Sequence, residues 1–163
     1  MKMEKLDEFD ERVDALWATA KLQFLNIGER TERYLNWRFT NCSLHQYRLV
    51  GLIEKSGCLM AYLAYTENDG FVNVVDLLAA NDEALIALLG EFIVGMRANR
   101  QRSISFMYLG SSMITSVLRR FGFVRRQGQA RVLVYLTEKL DATAKKSLMS
   151  TDAWHLTLAD ADF

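Results

Sequence analysis

Leu6, Phe9, Val13, Leu16, Trp17, Ala20 and Phe24 recur at helical intervals and predict an amphipathic first helix with a charged outer face. Thr31 is placed to cap a second, short helix carrying Tyr34, Leu35 and Trp37. The period then changes. Tyr47 to Ile53, Cys58 to Tyr65 and Phe71 to Leu78 are rich in β-branched, aromatic and aliphatic residues. Breaks at Lys55-Ser56-Gly57 and Glu67-Asn68-Asp69-Gly70 join these runs as an antiparallel meander. Leu85, Leu88, Leu89, Phe92, Ile93 and Met96 form one stripe of a helix of about four turns. Ile104 to Leu109 is a strand, and a helix between two strands predicts that it lies parallel to Phe71 to Leu78 by a right-handed crossover. Met113, Ile114, Val117, Leu118 and Phe121 mark a further helix, from Ser111 to a stop at Gly122. Phe123 to Arg125 and Arg131 to Thr137 read as a closing hairpin around Gln127-Gly128-Gln129. Beyond Asp141 come a helical or loose stretch and the tail WHLTLADADF.

These elements imply a mixed α/β class, an α+β mixed sheet. The 163 residues, half of them apolar, suit one domain over 1–163, with a helical segment at 1–40 and a tail at 141–163. Twenty basic and 20 acidic residues balance, so no global field draws nucleic acid or an acidic membrane. No uninterrupted apolar run reaches the roughly 18 residues that a membrane span needs. Cys42 and Cys58 lack any framework or ligand spacing, which fits a reduced, cytoplasmic setting. Charge is nevertheless uneven. Arginines 97, 100, 102, 119, 120, 125, 126 and 131 share a segment free of acids, whereas Glu4, Asp7, Glu8, Asp10, Glu11 and Asp14 crowd the start, and Asp152, Asp160 and Asp162 the end. The basic segment either meets an anionic ligand or acidic partner, or complements the acidic ends within the molecule or between subunits.

The order of helices, meander, βαβ unit, a helix ending in Gly122-Phe123 and a closing hairpin resembles the GNAT superfamily of N-acetyltransferases. Ser116 to Arg126, SVLRRFGFVRR, is similar to that family's late helix. Arg30 to Phe39, Tyr47, Asp76-Leu77-Leu78 and Trp154-His155-Leu156-Thr157 with Asp160 and Asp162 resemble a bacterial GNAT-like group. In that group the matching segment is often the carboxy-terminal half of a protein with two GNAT-like halves. The resemblance implies transfer of an acyl group from acetyl-CoA or another acyl-CoA to an amine. It further implies that backbone groups of Leu77, Leu78, Ala79 and Ala80, with Ser111, hold the cofactor. Asp76 would then deprotonate the amine, Tyr108 would protonate the leaving thiolate, and Arg30, Tyr34, Trp37 and Arg38 would line the acceptor pocket.

Several residues depart from that pattern. The family's pyrophosphate loop carries glycines and a basic residue, but Leu78 to Leu85 reads LAANDEAL. Without glycine, side chains obstruct the close approach of phosphate to backbone. Asn81 can cap the following helix itself, and Asp82 and Glu83 suit the helix dipole while repelling an anion. The position of the family's tyrosine acid is Leu118, on the apolar stripe. Asp76 interrupts an apolar strand and must be paired, either as a base of tuned pKa or as an anchor for Arg38 or Arg48. Arg30, Arg38, Tyr34 and Trp37 equally read as anchors and core. His45, His155 and Asp160-Ala161-Asp162 read as solvated surface rather than as a metal site. Two functions remain open: an acyl-CoA-dependent N-acyltransferase with a degenerate cofactor loop, or a non-catalytic GNAT-like module that binds a small ligand, a second copy or a partner half.

Overall fold

The computed structural model describes residues 1–42, 45–126 and 132–161. Its main sheet has the strand order β1-β3-β4-β5-β6, formed by β1 (Lys2–Leu6), β3 (Arg48–Ile53), β4 (Leu59–Asn68), β5 (Phe71–Ala79) and β6 (Ser103–Phe106). The first three neighbouring pairs are antiparallel and β5 lies parallel to β6. α1 (Glu11–Ala20) and the short α2 (Glu32–Leu35) cover one face of the sheet, and α3 (Asp82–Ala98) and α4 (Ser112–Arg120) the other. Alternation along the strands feeds both layers. Leu63, Val72, Val74 and Leu77 pack with Leu85, Leu88, Phe92 and Ile114, whereas Leu49, Tyr62, Ala64 and Leu78 pack with Val13, Leu16, Leu35 and Phe39. The mixed α/β class, the meander and the parallel unit are therefore as expected, and the architecture is consistent with a GNAT-like fold.

Local chemistry accounts for the turns and caps. Asp69 and Gly70 have φ of 49° and 84°, the left-handed pair that a two-residue hairpin requires, so β4 continues to Asn68 instead of ending at Tyr65. Thr31 caps α2, accepting from the Tyr34 amide, and Ser111 caps α4, accepting from the Met113 amide at 3.2 Å. Gly122, at φ 89°, follows the end of α4. Asn81 Oδ1 accepts from the Ala84 amide at 2.9 Å, with Asp82 and Glu83 in the first turn of α3.

Three expectations change. The charged start is not part of a helix: Lys2–Leu6 pairs antiparallel with β3, and α1 begins only after Asp10, whose side chain accepts from the Arg12 amide. Leu6 and Phe9 continued the helical spacing by coincidence, and the edge pairing that overrides it is a tertiary contact. The expected strand Ile104 to Leu109 is divided between two sheets. After Phe106 the chain leaves β5, and β7 (Leu109–Gly110) joins a three-stranded sheet of order β2-β8-β7 with β2 (Asn26–Ile27) and β8 (Trp154–Leu156). The tail is therefore structural, preceded by α5 (Ala142–Met149), which Asp141 caps. Phe123–Arg125 and residues 132–137 form no strand among the described residues, and the turn Gln127-Gly128-Gln129 lies outside them. No helix among the described residues is long and apolar enough to cross a membrane.

Removing the α3 cap with Asn81→Ala is expected to cost about 1 kcal/mol. Urea denaturation should show a lower midpoint with an unchanged slope.

Candidate functional site

β5 carries the chemistry because of an irregularity. The β4–β5 register shifts between Ala64, opposite Asp76, and Tyr65, opposite Val74, which leaves Val75 as an extra residue. Such a bulge re-aims side chains. Val75 and Asp76 both turn toward the α1/α2 layer, where Val75 packs in the core and Asp76 meets Tyr62.

Asp76 is fully buried, and both of its oxygens are engaged. Its Oδ2 accepts from Arg30 Nε at 2.8 Å and from the Tyr62 hydroxyl at 2.6 Å, and its Oδ1 accepts from the Thr157 hydroxyl at 2.8 Å. Arg30 Nη2 donates to Asp160 Oδ2 at 2.7 Å, and the same oxygen accepts from the Thr157 amide at 2.9 Å. Gly28 makes room for this pair, since a Cβ there would stand 2.8 Å from Arg30 Nη1 and collide with Asp160 Oδ1. Burial alone would raise the Asp76 pKa, but the Arg30 charge and the hydrogen bonds from Tyr62 and Thr157 hold it below the ordinary carboxylate value. Burial likewise works against the Arg30 charge, and Asp76, Tyr62 and Asp160 together more than offset it. The anchor of Asp76 is therefore Arg30, not the Arg38 or Arg48 expected. Arg48 pairs with Glu67 instead.

A second polar group sits beside the gap between β5 and β7. Pairing of β5 with β6 ends at Val74, so Asp76 to Ala79 pair with β4 on one side only. β8 reaches across the opening through His155. His155, 1% exposed, bonds through Nε2 to the Leu77 carbonyl at 2.9 Å, and its ring packs on Phe24 and Tyr108 at centroid distances of 4.5 and 5.3 Å. A carbonyl only accepts, so Nε2 carries the proton. Burial pushes the His155 pKa down, against the pull of Asp76, and keeps the imidazole neutral near pH 7. Gly110 brings β7 and β8 together. A Cβ there would strike the Trp154 carbonyl oxygen and lie 2.6 Å from the Tyr108 hydroxyl.

Three further backbone groups around the end of β5 have partners. Gln23 Nε2 donates to the Ala79 and Ala80 carbonyls at 3.1 and 3.0 Å, and the Ala80 amide donates to the Met60 carbonyl at 2.8 Å. Leu77 and Leu78 bury their side chains in opposite core layers. The cavity left here, bounded by Phe24, Leu77, Met113 and His155, measures about 10 Å³, near the minimum that one water needs.

The other expected site residues divide. The Tyr34 hydroxyl donates to the Ala159 carbonyl at 3.1 Å, and Arg38 Nη2 to the Ala161 carbonyl at 2.8 Å, so both hold the tail. Trp37 stands 63% exposed. Tyr108 is largely buried, which raises its pKa, opposed in part by the nearby Ser111 amide; its hydroxyl makes no well-formed hydrogen bond among the described residues. Leu118 is core, as expected. His155 and Asp160, expected at the surface, are instead drawn inward, because the tail strand pairs on both sides. Sequence reasoning missed Tyr62, Thr157, Gln23 and Gly28. The Thr157-to-Asp160 spacing of a capping box, which the structure forms, was the one readable signal. Among the described residues, no ion pair links arginines 97 to 126 with the acidic ends. Instead Asp152 accepts from the Ser112 amide at 2.7 Å, at the start of α4.

Replacing Arg30 with Met strands a buried carboxylate and is expected to destabilise the fold by about 3–5 kcal/mol, measured by denaturant unfolding. A separate acid dependence follows from His155, whose folded pKa is depressed. Its contribution is fully present above the ordinary value of 6.5 and is lost as pH falls through the folded pKa. Asp76, also depressed, is fully stabilising above 3.8 and adds a further loss at lower pH. Thermal midpoints between pH 7 and 5 should fall in the wild type and stay flatter in His155→Gln.

Comparison with known proteins supports the fold. No family model matches the sequence, and no curated protein sequence matches it. Among solved structures, the chain is similar to a mutant of TTHA1254 from Thermus thermophilus at 16% identity and TM-score 0.54, covering 85% of this chain and 100% of that one. It is similar to a mutant of the BH1408 protein from Bacillus halodurans at 15% identity and TM-score 0.52, covering 83% and 100%. The aminoglycoside 6'-N-acetyltransferase AAC(6')-Ih from Acinetobacter baumannii aligns at 11% identity and TM-score 0.47, over 86% and 100%. At these identities the likeness is one of fold.

Proposed function

We propose that this chain is a GNAT-like module that binds a small ligand or a partner and does not transfer acyl groups by itself. One observation carries the reading: the only carboxylate on β5, Asp76, spends its hydrogen bonds on Arg30, Tyr62 and Thr157 inside the core. To act as a base it would have to lose Arg30, Tyr62 and Thr157 in a site closed to water. The neighbouring chemistry agrees. The Leu77, Ala79 and Ala80 carbonyls, to which a pantetheine arm would be assigned, already accept from His155 and Gln23, and β8 occupies the gap. The entrance to α3 presents Asn81, Asp82 and Glu83, an anion-repelling set.

A second reading, an acyl-CoA-dependent N-acyltransferase acting on an amine, is favoured by a different observation. β5 and β6 separate after Val74, and the Tyr108 hydroxyl beside the opening has no well-formed hydrogen bond among the described residues. In that reading β8 withdraws, acyl-CoA enters along Leu77 to Ala80 with Ser111 nearby, and Tyr108 returns a proton to the thiolate. Tandem association with a GNAT-like partner half, or pairing with a second copy, belongs to the module reading. The resemblance to the carboxy-terminal half of tandem proteins supports it.

Calorimetric titration of the full chain with acetyl-CoA and with free coenzyme A at low salt separates the two. The module reading expects no saturable heat up to millimolar ligand. Micromolar binding of acetyl-CoA would sink it and make Tyr108→Phe the next variant for turnover.

A further inference from the structure

A second cavity, of about 270 Å³, lies on the α1/α2 side of the sheet, over the first half of β5. Its polar lining is made of groups that can donate: the Arg38 guanidinium, the Asn73 amide, the Thr66 and Tyr47 hydroxyls and the His45 imidazole, with no Asp or Glu lining it among the described residues. Phe39, Val75 and Leu158 supply an apolar wall. Two contacts orient the polar groups. Ser105 Oγ donates to Asn73 Oδ1 at 3.0 Å, which engages the acceptor end of that amide and leaves its N–H donors for other partners. Arg38 Nη2 is tied to the Ala161 carbonyl at 2.8 Å, while its Nε is buried with no acceptor among the described residues.

A guanidinium N–H without an acceptor carries an unmet desolvation cost, which an anion can relieve. One permanent cation, Arg38, matches a single negative charge. A phosphate dianion would bring surplus charge into a partly apolar site. A planar carboxylate fits the edge of a guanidinium, and the volume lies below the roughly 300–1,000 Å³ of typical small-molecule sites. We infer that this cavity binds a small monocarboxylate with a short apolar body, with Arg38 as its counter-ion and Thr66 and Asn73 as further donors. The inference deepens the ligand-binding module reading and rests on it.

The test is ligand-observed NMR and calorimetry on the full chain with three probes: benzoate, its neutral isostere benzamide, and inorganic phosphate. Benzoate is expected to bind saturably, with benzamide and phosphate weaker by at least roughly tenfold. Arg38→Met should abolish the preference for benzoate over benzamide. Because Arg38 also holds the tail, Thr66→Val serves as the variant that leaves those contacts alone, and it should weaken benzoate several-fold at an unchanged thermal midpoint. Equal binding of benzoate and benzamide, no saturable benzoate binding at millimolar concentration, or an unaffected Thr66→Val variant would each overturn the proposal. The closed-gap reading is judged by acetyl-CoA alone, so its failure and the failure of this inference are told apart.

Discussion

The buried contact between Arg30 and Asp76 is the constraint on which the rest of this structure depends. An isolated carboxylate in a sheet interior is too costly to remain charged, and a guanidinium, which cannot shed its proton, needs partners there as well. Each makes the other tolerable only with extra hydrogen bonds, and here those come from distant parts of the chain: Tyr62 on β4, and Thr157 and Asp160 at the end. The ion pair therefore ties the first helical layer, the centre of the sheet and the tail into one unit. The bulge at Val75 is what turns the carboxylate toward that layer.

The same constraint shapes the site. Thr157 is held by Asp76, and two residues before it His155 is held by the Leu77 carbonyl. The tail is thus stitched along the very stretch of β5 that β6 leaves uncovered. A gap between parallel strands would otherwise present bare backbone groups, and buried backbone groups need partners. In this chain the Leu77, Ala79 and Ala80 carbonyls find theirs internally, from His155 and Gln23. The cavity at the end of β5 bounded by Phe24, Leu77, Met113 and His155 holds about 10 Å³, whereas the one on the other face holds about 270 Å³. Fold resemblance alone does not reveal this difference, since function resides in particular side chains.

Much of the architecture was legible. Periodicity located α3, α4 and the meander because those elements bury continuous stripes, and a stripe is a local property of sequence. The caps at Thr31 and Asn81 were legible for a similar reason, since a capping side chain reaches backbone only a few residues away. Reading failed where pairing was long-range. Lys2–Leu6 became a strand because β3 offered an edge, and WHL became a strand because β2 and β7 both did. Neither segment carries enough apolar alternation to announce itself.

By itself, then, the sequence determined that Asp76 had to be paired, that Leu118 belonged to the core, and that the start of α3 was a capped helix with an anion-repelling first turn. These follow from residue types and short spacings. Which arginine met Asp76, that His155 and Asp160 turned inward, and that the tail bonded to Asp76 and Leu77 of β5 were decided only in three dimensions. The physical reason is one of range: caps and stripes act over a few residues, whereas an ion pair linking positions 30, 76 and 160 exists only once the sheet has brought them together.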